Sequence, residues 1–324
     1  MKLLNLKTKS PYFNLAVEEY LFKESDTDVI ILWQNEPSVV IGKNQNAYAE
    51  LNLDYIKEKG INVSRRITGG GAVYHDIGNL NFSFISLNTT SEGIDFKRYT
   101  EPIIEALRYL GVPAELSGRN DILVDGKKIS GNAQYSVGNR VLHHGTLLFD
   151  TDFSRLASAL LVDEEKIKAK SIKSYRSRVA NIKDYLEGDY TVEEFREIIA
   201  EYLKKRFSLT EMDMPKDEEI LRLEKRNKSK EWLFPERSFV ADYTLIKSKR
   251  FPFGGIRLEL FMKNERVENA ALFGDYFEIN DSRALISLLV GKTLTEIKEK
   301  AGEFHVDKYI HGLNKEYFRE LLES

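Results

Sequence analysis

Residues 65–76 read Arg-Arg-Ile-Thr-Gly-Gly-Gly-Ala-Val-Tyr-His-Asp, two arginines followed closely by three consecutive glycines. Glycine has no Cβ, so backbone N–H groups in such a run can lie against an anion that other residues would block. Arginine carries the fork of donors that matches phosphate and carboxylate. Most glycine-rich runs are only turns, but a turn needs one or two glycines rather than three. Two adjacent guanidinium groups also repel each other, which points to an anion nearby. His75 and Asp76 end the stretch with further polar groups. No Gly-Lys-Ser/Thr follows, so the run is not a P-loop, and it is not a dinucleotide fingerprint.

A second stretch, residues 118–134, reads Gly-Arg-Asn-Asp-Ile-Leu-Val-Asp-Gly-Lys-Lys-Ile-Ser-Gly-Asn-Ala-Gln. Its lysines fall in a strand-like segment, so Lys127 and Lys128 point to opposite faces. A single lysine is usually a solvated charge. The small residues Ser130 and Gly131 favour one lysine entering a pocket. A third stretch holds Lys166, Lys168, Lys170, Lys173, Arg176, Arg178 and Lys183 with no acid between the first and the last. Ser171, Ser174 and Ser177 lie among them. Such a run suits a solvated face, a flap over a phosphorylated intermediate, or a dock for an acidic partner. His143 and His144, neighbours in a strand, face opposite ways and are not obvious joint metal ligands. The chain has 0 cysteines, which excludes a thioester, a disulfide and a thiolate metal site. Activation here must be electrostatic.

The elements that position these groups alternate between helix and strand. Pro11–Phe22 has helical apolar spacing, and 29–33 and 38–42 are short apolar strands. Leu80, Phe82 and Phe84 alternate with Asn79, Asn81 and Ser83, the pattern of a half-buried strand. Helical period returns over 96–110, ended by Gly111 and Pro113. Asp125-Gly126 marks a hairpin between 122–124 and 128–129. Thr191 with Glu194 forms a capping box, and Asn314 is an N-cap for a helix over 315–322. Residues 209–231 are charge-rich and read as a connecting segment. Ile256, Leu258 and Leu260 alternate as a strand, 267–273 returns as another, and 294–301 is a short helix. The pattern is mixed α and β, with hairpins more evident than crossover units.

The 324 residues predict one large domain and a small one. An apolar content of 42%, with 18 Phe and 16 Tyr, supports a substantial core. A net charge of -3 argues against nucleic acid as a partner. No run is long and apolar enough for a spanning helix, and the N-terminus lacks the features of a secretory signal. A cytoplasmic, reducing location is expected.

Taken together, RRITGGGAVYHDIGNLNFSF (65–84), GRNDILVDGKKISGNAQ (118–134), HHGTLL (143–148) and KSIKSYRSRVANI (170–182) occur in the order found in lipoate–protein ligases. Residues 13–19, FNLAVEE, also resemble that family's opening helix. The resemblance covers nearly the whole chain. It implies an α+β fold: a mixed-sheet catalytic domain of the biotin/lipoate protein ligase type over 1–245, and a small α+β accessory domain over 246–324. It implies that Arg66, Gly71, Ala72, Val73, Tyr74 and Lys128 contact ATP. Lys128 would also meet the lipoyl carbonyl oxygen and be the catalytic residue, with Arg65, Gly69, Gly70 and His75 lining the lipoate pocket. Segment 168–182, with Lys168, Lys170, Ser174, Arg176 and Arg178, would be the adenylate-binding loop. Asp121 and the neighbouring Asn120 would stand near the nucleotide or its Mg2+. Val73, Phe82 and Phe84 are candidates for the wall of an acyl tunnel.

The implied reaction activates lipoate with ATP to lipoyl-AMP, then transfers the lipoyl group to a lysine of a carrier protein. The carriers implied are dehydrogenase E2 subunits or the glycine cleavage H protein. The alternatives are an ATP-independent octanoyl or lipoyl transferase between carriers, a non-catalytic binder of the adenylate, and a biotin protein ligase.

Overall fold

The computed structural model describes residues 1–87, 89, 93–118, 120–160, 178–235 and 245–324. The chain opens with β1 (Lys2–Asn5) and helix α1 (Pro11–Glu24), whose N-cap Ser10 accepts from the Phe13 N–H. Strands β2 (Val29–Trp33) and β3 (Ser38–Ile41) follow, then short helices α2 (Ala47–Glu50) and α3 (Leu53–Glu58). Next come β4 (Asn62–Arg65), β5 (Val73–His75), β6 (Asn79–Ser86) and helix α4 (Phe96–Tyr109). A run of hairpins comprises β7 (Glu115–Ser117), β8 (Asp121–Val124), β9 (Lys127–Val137) and β10 (Arg140–Leu148). Helix α5 (Phe153–Ala159), helix α6 (Val192–Phe207), β11 (Thr210–Glu211), helix α7 (Glu218–Lys228) and helix α8 (Lys230–Leu233) come after. The C-terminal elements are β12 (Leu245–Phe251), β13 (Gly254–Lys263), β14 (Arg266–Gly274) and helices α9 (Ser282–Leu289), α10 (Leu294–Glu299) and α11 (Lys315–Glu323).

The main sheet has eight strands in the order β11-β1-β2-β6-β10-β9-β8-β7, parallel at β11-β1-β2 and antiparallel elsewhere. Three-stranded sheets β4-β3-β5 and β12-β13-β14 accompany it. Alternation along the central strands sends Ile30, Leu32, Phe82, Phe84 and Leu147 to one face, under Ile103 and Leu107 of α4 and Phe195 and Ile199 of α6. The opposite face carries Ile31, Trp33, Ile85 and Leu142 beneath Leu15 and Leu21 of α1. Helices therefore cover both faces of the sheet.

Local signals place several elements as expected. Thr191 and Glu194 form both bonds of the capping box, and Asn314 caps α11. Asp125 (φ 49°) and Gly126 (φ 72°) make the two-residue turn from β8 to β9. Two readings need correction. Strand β6 is buried along its whole length, not half-buried, because Asn79, Asn81 and Ser83 face protein and a cavity rather than water. The charge-rich segment is more than a connector: α7 packs on α1, where Arg226 meets Glu19 at 2.5 Å and Asn227 donates to the Tyr12 carbonyl at 3.0 Å. Among the described residues no helix is long and apolar enough to cross a membrane.

His143 belongs to this core. It is fully buried and stacks on Tyr99 at 5.1 Å between ring centroids. Burial, with His144 beside it, holds its pKa well below the ordinary value, so the folded ring is neutral. The unfolded chain takes up a proton there near pH 6.5, while the folded chain does not. Stability therefore falls as the pH drops below about 6.5, by up to about 1.4 kcal/mol per pH unit from this group. Urea unfolding between pH 7.5 and pH 5 is expected to show a shallower loss in His143→Leu than in the wild type.

Candidate active site

A cavity of about 250 Å³ opens on the α1 side of the main sheet, with walls from both N-terminal sheets. Lys128 stands on one wall. Its backbone is fixed at both polar atoms: its N–H donates to the Arg178 carbonyl (2.8 Å) and its carbonyl accepts from the Ala180 N–H (3.0 Å). Alternation in β9 leaves Lys127 exposed while Lys128 enters the cavity wall. The Lys128 Nζ lies 2.8 Å from Asp121 Oδ1 on the neighbouring strand β8, with both side chains about one-third exposed. The ammonium rests over Gly131, where a Cβ would come within 2.8 Å of Nζ. Asp121, a metal candidate in the sequence, is thus the counter-ion of Lys128. Among the described residues there is no cluster of three or more His, Asp or Glu able to hold a metal by themselves.

The two arginines separate. Arg66 lines the cavity. It donates to the carbonyls of Val40, Gly69 and Gly71 and to Thr68 Oγ1, at 2.7–3.2 Å. Arg65 does not reach the cavity lining, contrary to its expected place in the lipoate pocket. Its guanidinium donates to five carbonyls, those of Gly42, Lys43, Gln45, Trp232 and Leu233. Burial lowers both pKa values to about 10, leaving both groups charged at neutral pH. Backbone carbonyl dipoles, rather than an anion held between the pair, offset the two charges. Trp232 Nε1 donates in return to the Arg65 carbonyl (3.0 Å), so Arg65 bolts helix α8 to strand β4.

The glycines also divide their work. Gly70 and Gly71 line the cavity with Ala72 and Val73. Gly69 does not: it faces the C-terminal elements, where a Cβ would collide with the Tyr276 carbonyl oxygen. The Gly70 N–H donates to that same oxygen at 3.2 Å. Lys43 pairs with Glu278 at 2.5 Å, and the Gly274 N–H donates to the Asn44 carbonyl at 2.9 Å. Segment 274–278 is thereby seated on the glycine run, and Asp275 joins the cavity wall. Nothing local in the sequence pairs these distant segments.

Tyr74 packs within the core of the small sheet and borders a second cavity of about 60 Å³, shared with Ala72, Val73 and Lys128. Asn120 and Val73 line the main cavity. Phe82 and Phe84 do not, since strand alternation sends them to the opposite face of the sheet. His75 is on the cavity wall and buried. Burial, with Arg66 and His144 nearby, lowers its pKa to about 3, so it stays neutral. Arg178 is exposed and contributes its carbonyl to Lys128. Lys168, Lys170, Ser174 and Arg176 lie outside the described residues.

Glu18 and Ser83, which a search for chemistry-bearing motifs does not single out, stand behind the wall residues His144 and Trp33. His144 Nδ1 meets Glu18 Oε1 at 2.9 Å and its Nε2 meets Thr68 Oγ1 at 2.9 Å. Ser83 Oγ donates to Glu18 (2.5 Å), and Trp33 Nε1 donates to Ser83 (2.8 Å). Buried polar groups must be paired, so the polar residues Glu18 and Ser83 inside apolar patterns are the available signal.

The cavity can do one kind of chemistry well. A cation and the Gly70–Val73 backbone line one partly enclosed space, where charge interactions are stronger than in bulk water. Gly131 sets where that cation stands. A Gly131→Ala enzyme should fold, because the lysine tip can move aside, but its ammonium would be displaced. Turnover is expected to fall by about tenfold or more. Parallel kinetics and thermal melts check this: a large activity loss with a small shift in Tm.

Comparison with known proteins agrees with this geometry. Residues 10–204 match the Lipoyl protein ligase A/B catalytic domain, and residues 241–322 match the Bacterial lipoate protein ligase C-terminus. The chain is similar to the lipoate-protein ligase LplJ of Bacillus subtilis, at 42% identity over 98% of both chains. Its fold resembles that of P. falciparum LipL1 in complex with lipoate, with TM-score 0.81 and 27% identity over 99% of this chain and 98% of the other. A lipoate-protein ligase A bound with ATP aligns with TM-score 0.61 and 30% identity over 72% of this chain and 98% of that one. With its catalytic and C-terminal portions both matched, the chain belongs to the lipoate–protein ligase family and is an enzyme of that type.

Proposed function

We propose that the cavity carries out both half-reactions of protein lipoylation around Lys128. The observation that carries this reading is the ammonium of Lys128 on the wall opposite the Arg66-Gly70-Gly71 run. A carboxylate resists attack by an amine, so it must first be activated. One carboxylate oxygen of lipoate bonds to the α-phosphorus of ATP. The bond to the β-phosphate bridge breaks, and diphosphate leaves with the electron pair. Negative charge concentrates on the α-phosphate as this happens, and Lys128 offsets it as a compact point charge. In the second step an unprotonated lysine amine of a carrier attacks the acyl carbon. The C–N bond forms, the acyl–phosphate oxygen bond breaks, AMP leaves, and the amine loses a proton. Lys128 polarises the carbonyl oxygen in that step and is never a nucleophile.

Arg66 fixes the shape of the glycine run, bridging the Gly69 and Gly71 carbonyls at 2.7 Å each. Gly70, Gly71, Ala72 and Val73 supply the surface for the nucleotide, with Tyr74 backing it. Mg2+ commonly takes one or two carboxylates with phosphate oxygens and water. The Asp121 carboxylate beside Asn120 suits that role, and the ion would add charge neutralisation at the phosphates. In this reading 168–182 binds the adenylate and keeps water from the anhydride, with its end, Ala180 and Ile182, anchored in the core. Residues 1–245 act as the catalytic domain and 246–324 as the accessory domain that supplies Asp275. The acceptors are lipoyl-domain carriers, E2 subunits or the glycine cleavage H protein. A cysteine-free chain suits work in the reducing cytoplasm.

The test combines lipoate, ATP and Mg2+ with a lipoyl-domain carrier, scored by mass for acyl-AMP and then for modified carrier. Lys128→Ala is expected to lose adenylate formation by about 10²-fold or more. Wild-type diphosphate–ATP exchange in that variant would refute the assignment. Transfer from an acylated carrier without ATP would favour a transferase instead.

A further inference from the structure

The deep end of the same cavity holds two hydrogen-bond donors that protein structure leaves unused. His75 Nε2 and Asn81 Nδ2 are both buried without a partner among the described residues, and both residues line the cavity. The donor character of His75 Nε2 is set by its neighbours. Thr8 Oγ1 donates to Asn14 Oδ1 (2.5 Å), Asn14 Nδ2 donates to Asn35 Oδ1 (2.9 Å), and Asn35 Nδ2 donates to His75 Nδ1 (3.0 Å). Nδ1 is thus the acceptor nitrogen, and the proton of the neutral ring sits on Nε2. Asn79 Nδ2 donates to Asn81 Oδ1 at 2.8 Å, and in this pairing of the two amides the Asn81 N–H₂ has no partner among the described residues.

Register gives their depth. Thr146 Oγ1 accepts from the Gly131 N–H at 3.1 Å, beneath the Lys128 ammonium. Thr146 pairs with Asn81, and Asn81 pairs with Trp33. At about 4.8 Å per strand, Asn81 lies about 10 Å and Trp33 about 14 Å from Gly131. The His75 ring stands edge-on to Trp33, with centroids 6.0 Å apart. A medium-chain acid whose carboxylate meets Lys128 therefore brings its distal carbons to these donors.

We propose that His75 and Asn81 form a two-donor recognition site for the tail of the acyl substrate, reading the ring sulfurs of lipoate and selecting it over an unsubstituted fatty acid. The inference rests on the lipoate reading above. Sulfur is a weak acceptor, so each contact is modest. The selectivity comes mainly from the other side: a hydrocarbon tail buries both donors with nothing to accept from them, and such sites reject analogues lacking the acceptor. Trp33 adds a polarizable face for sulfur. Asn14 and Asn35 are positioning residues that act through His75.

Adenylate formation is measured with lipoate and with octanoate for the wild type, His75→Phe, His75→Gln and Asn81→Leu. The wild type is expected to favour lipoate in kcat/KM. The lipoate-to-octanoate ratio should fall about tenfold in His75→Phe and in Asn81→Leu, and His75→Gln, which keeps a donor, should recover most of it. Nitrogen-15 spectra of the wild type provide a readout independent of any variant's folding. They should show His75 neutral with its proton on Nε2 from pH 5 to 8, and that signal should shift with lipoate and not with octanoate. An unchanged ratio in both variants, equal wild-type use of the two acids, or an Nε2 proton indifferent to lipoate overturns the proposal and leaves the ligase reading intact. If the wild type adenylates neither acid, the ligase reading falls with it.

Discussion

The position of one ammonium group governs this architecture. Lys128 reaches the cavity because a two-residue turn starts strand β9 at Lys127, and a register shift between Lys128 and Ser130 then brings Gly131 onto the same side as Lys128. It stays there because Asp121, across the hairpin, meets it at 2.8 Å. It lies flat because Gly131 has no Cβ to push it away. The chain returning at Arg178–Ala180 locks its backbone from the other side. A partly exposed pair of this kind contributes little stability. Its consequence is positional: the charge is already placed when phosphate arrives, so little reorganisation is needed at the moment of reaction.

The glycine-rich run looks like a phosphate cradle, and it is also a joint. Arg66 ties its ends together from inside, while Arg65 turns away and clasps the segment that leads toward the C-terminal elements. Gly69 gives up its side of the run to Tyr276, and Asp275 reaches the cavity as a result. Active-site shape and the seating of the C-terminal elements therefore share the same few backbone atoms. A change in the seating of 274–278 has to alter the wall beside Gly70, because the Gly70 N–H is bonded to Tyr276.

Much of this is legible in the amino-acid order. Turn chemistry at Asp125-Gly126, the capping box at Thr191 and the helical period of 96–110 are local signals, and local physics places those elements. The cavity cation is legible from strand alternation, together with the small residues that follow it. What stays hidden is non-local. Arg65 and Arg66 are neighbours with the same charge, and only the opposite projections at the end of β4 tell them apart. The alternation of β6 is plain in its residues, but its environment is not. Polar residues on a strand usually mean water, whereas here they mean a cavity wall. Asp275 lies some two hundred residues from the glycines that it approaches, with no periodicity to link them.

The buried polar groups on and behind that wall form two families with different logic. Arg66, Thr68, His144, Glu18, Ser83 and Trp33 make one continuous chain of hydrogen bonds, in which each donor has an acceptor. It links the arginine of the glycine run to the tryptophan on the cavity wall, and it explains how Glu18 can be buried among Leu15, Val17 and Leu21 of α1. Networks of this kind are favourable only when complete, because each unpaired member in a low dielectric is costly. The second family, Thr8, Asn14, Asn35 and His75, ends on a donor with no acceptor among the described residues. A fold that satisfies one network fully and leaves its neighbour one acceptor short has accepted a cost in the empty protein, which a bound molecule carrying that acceptor can remove.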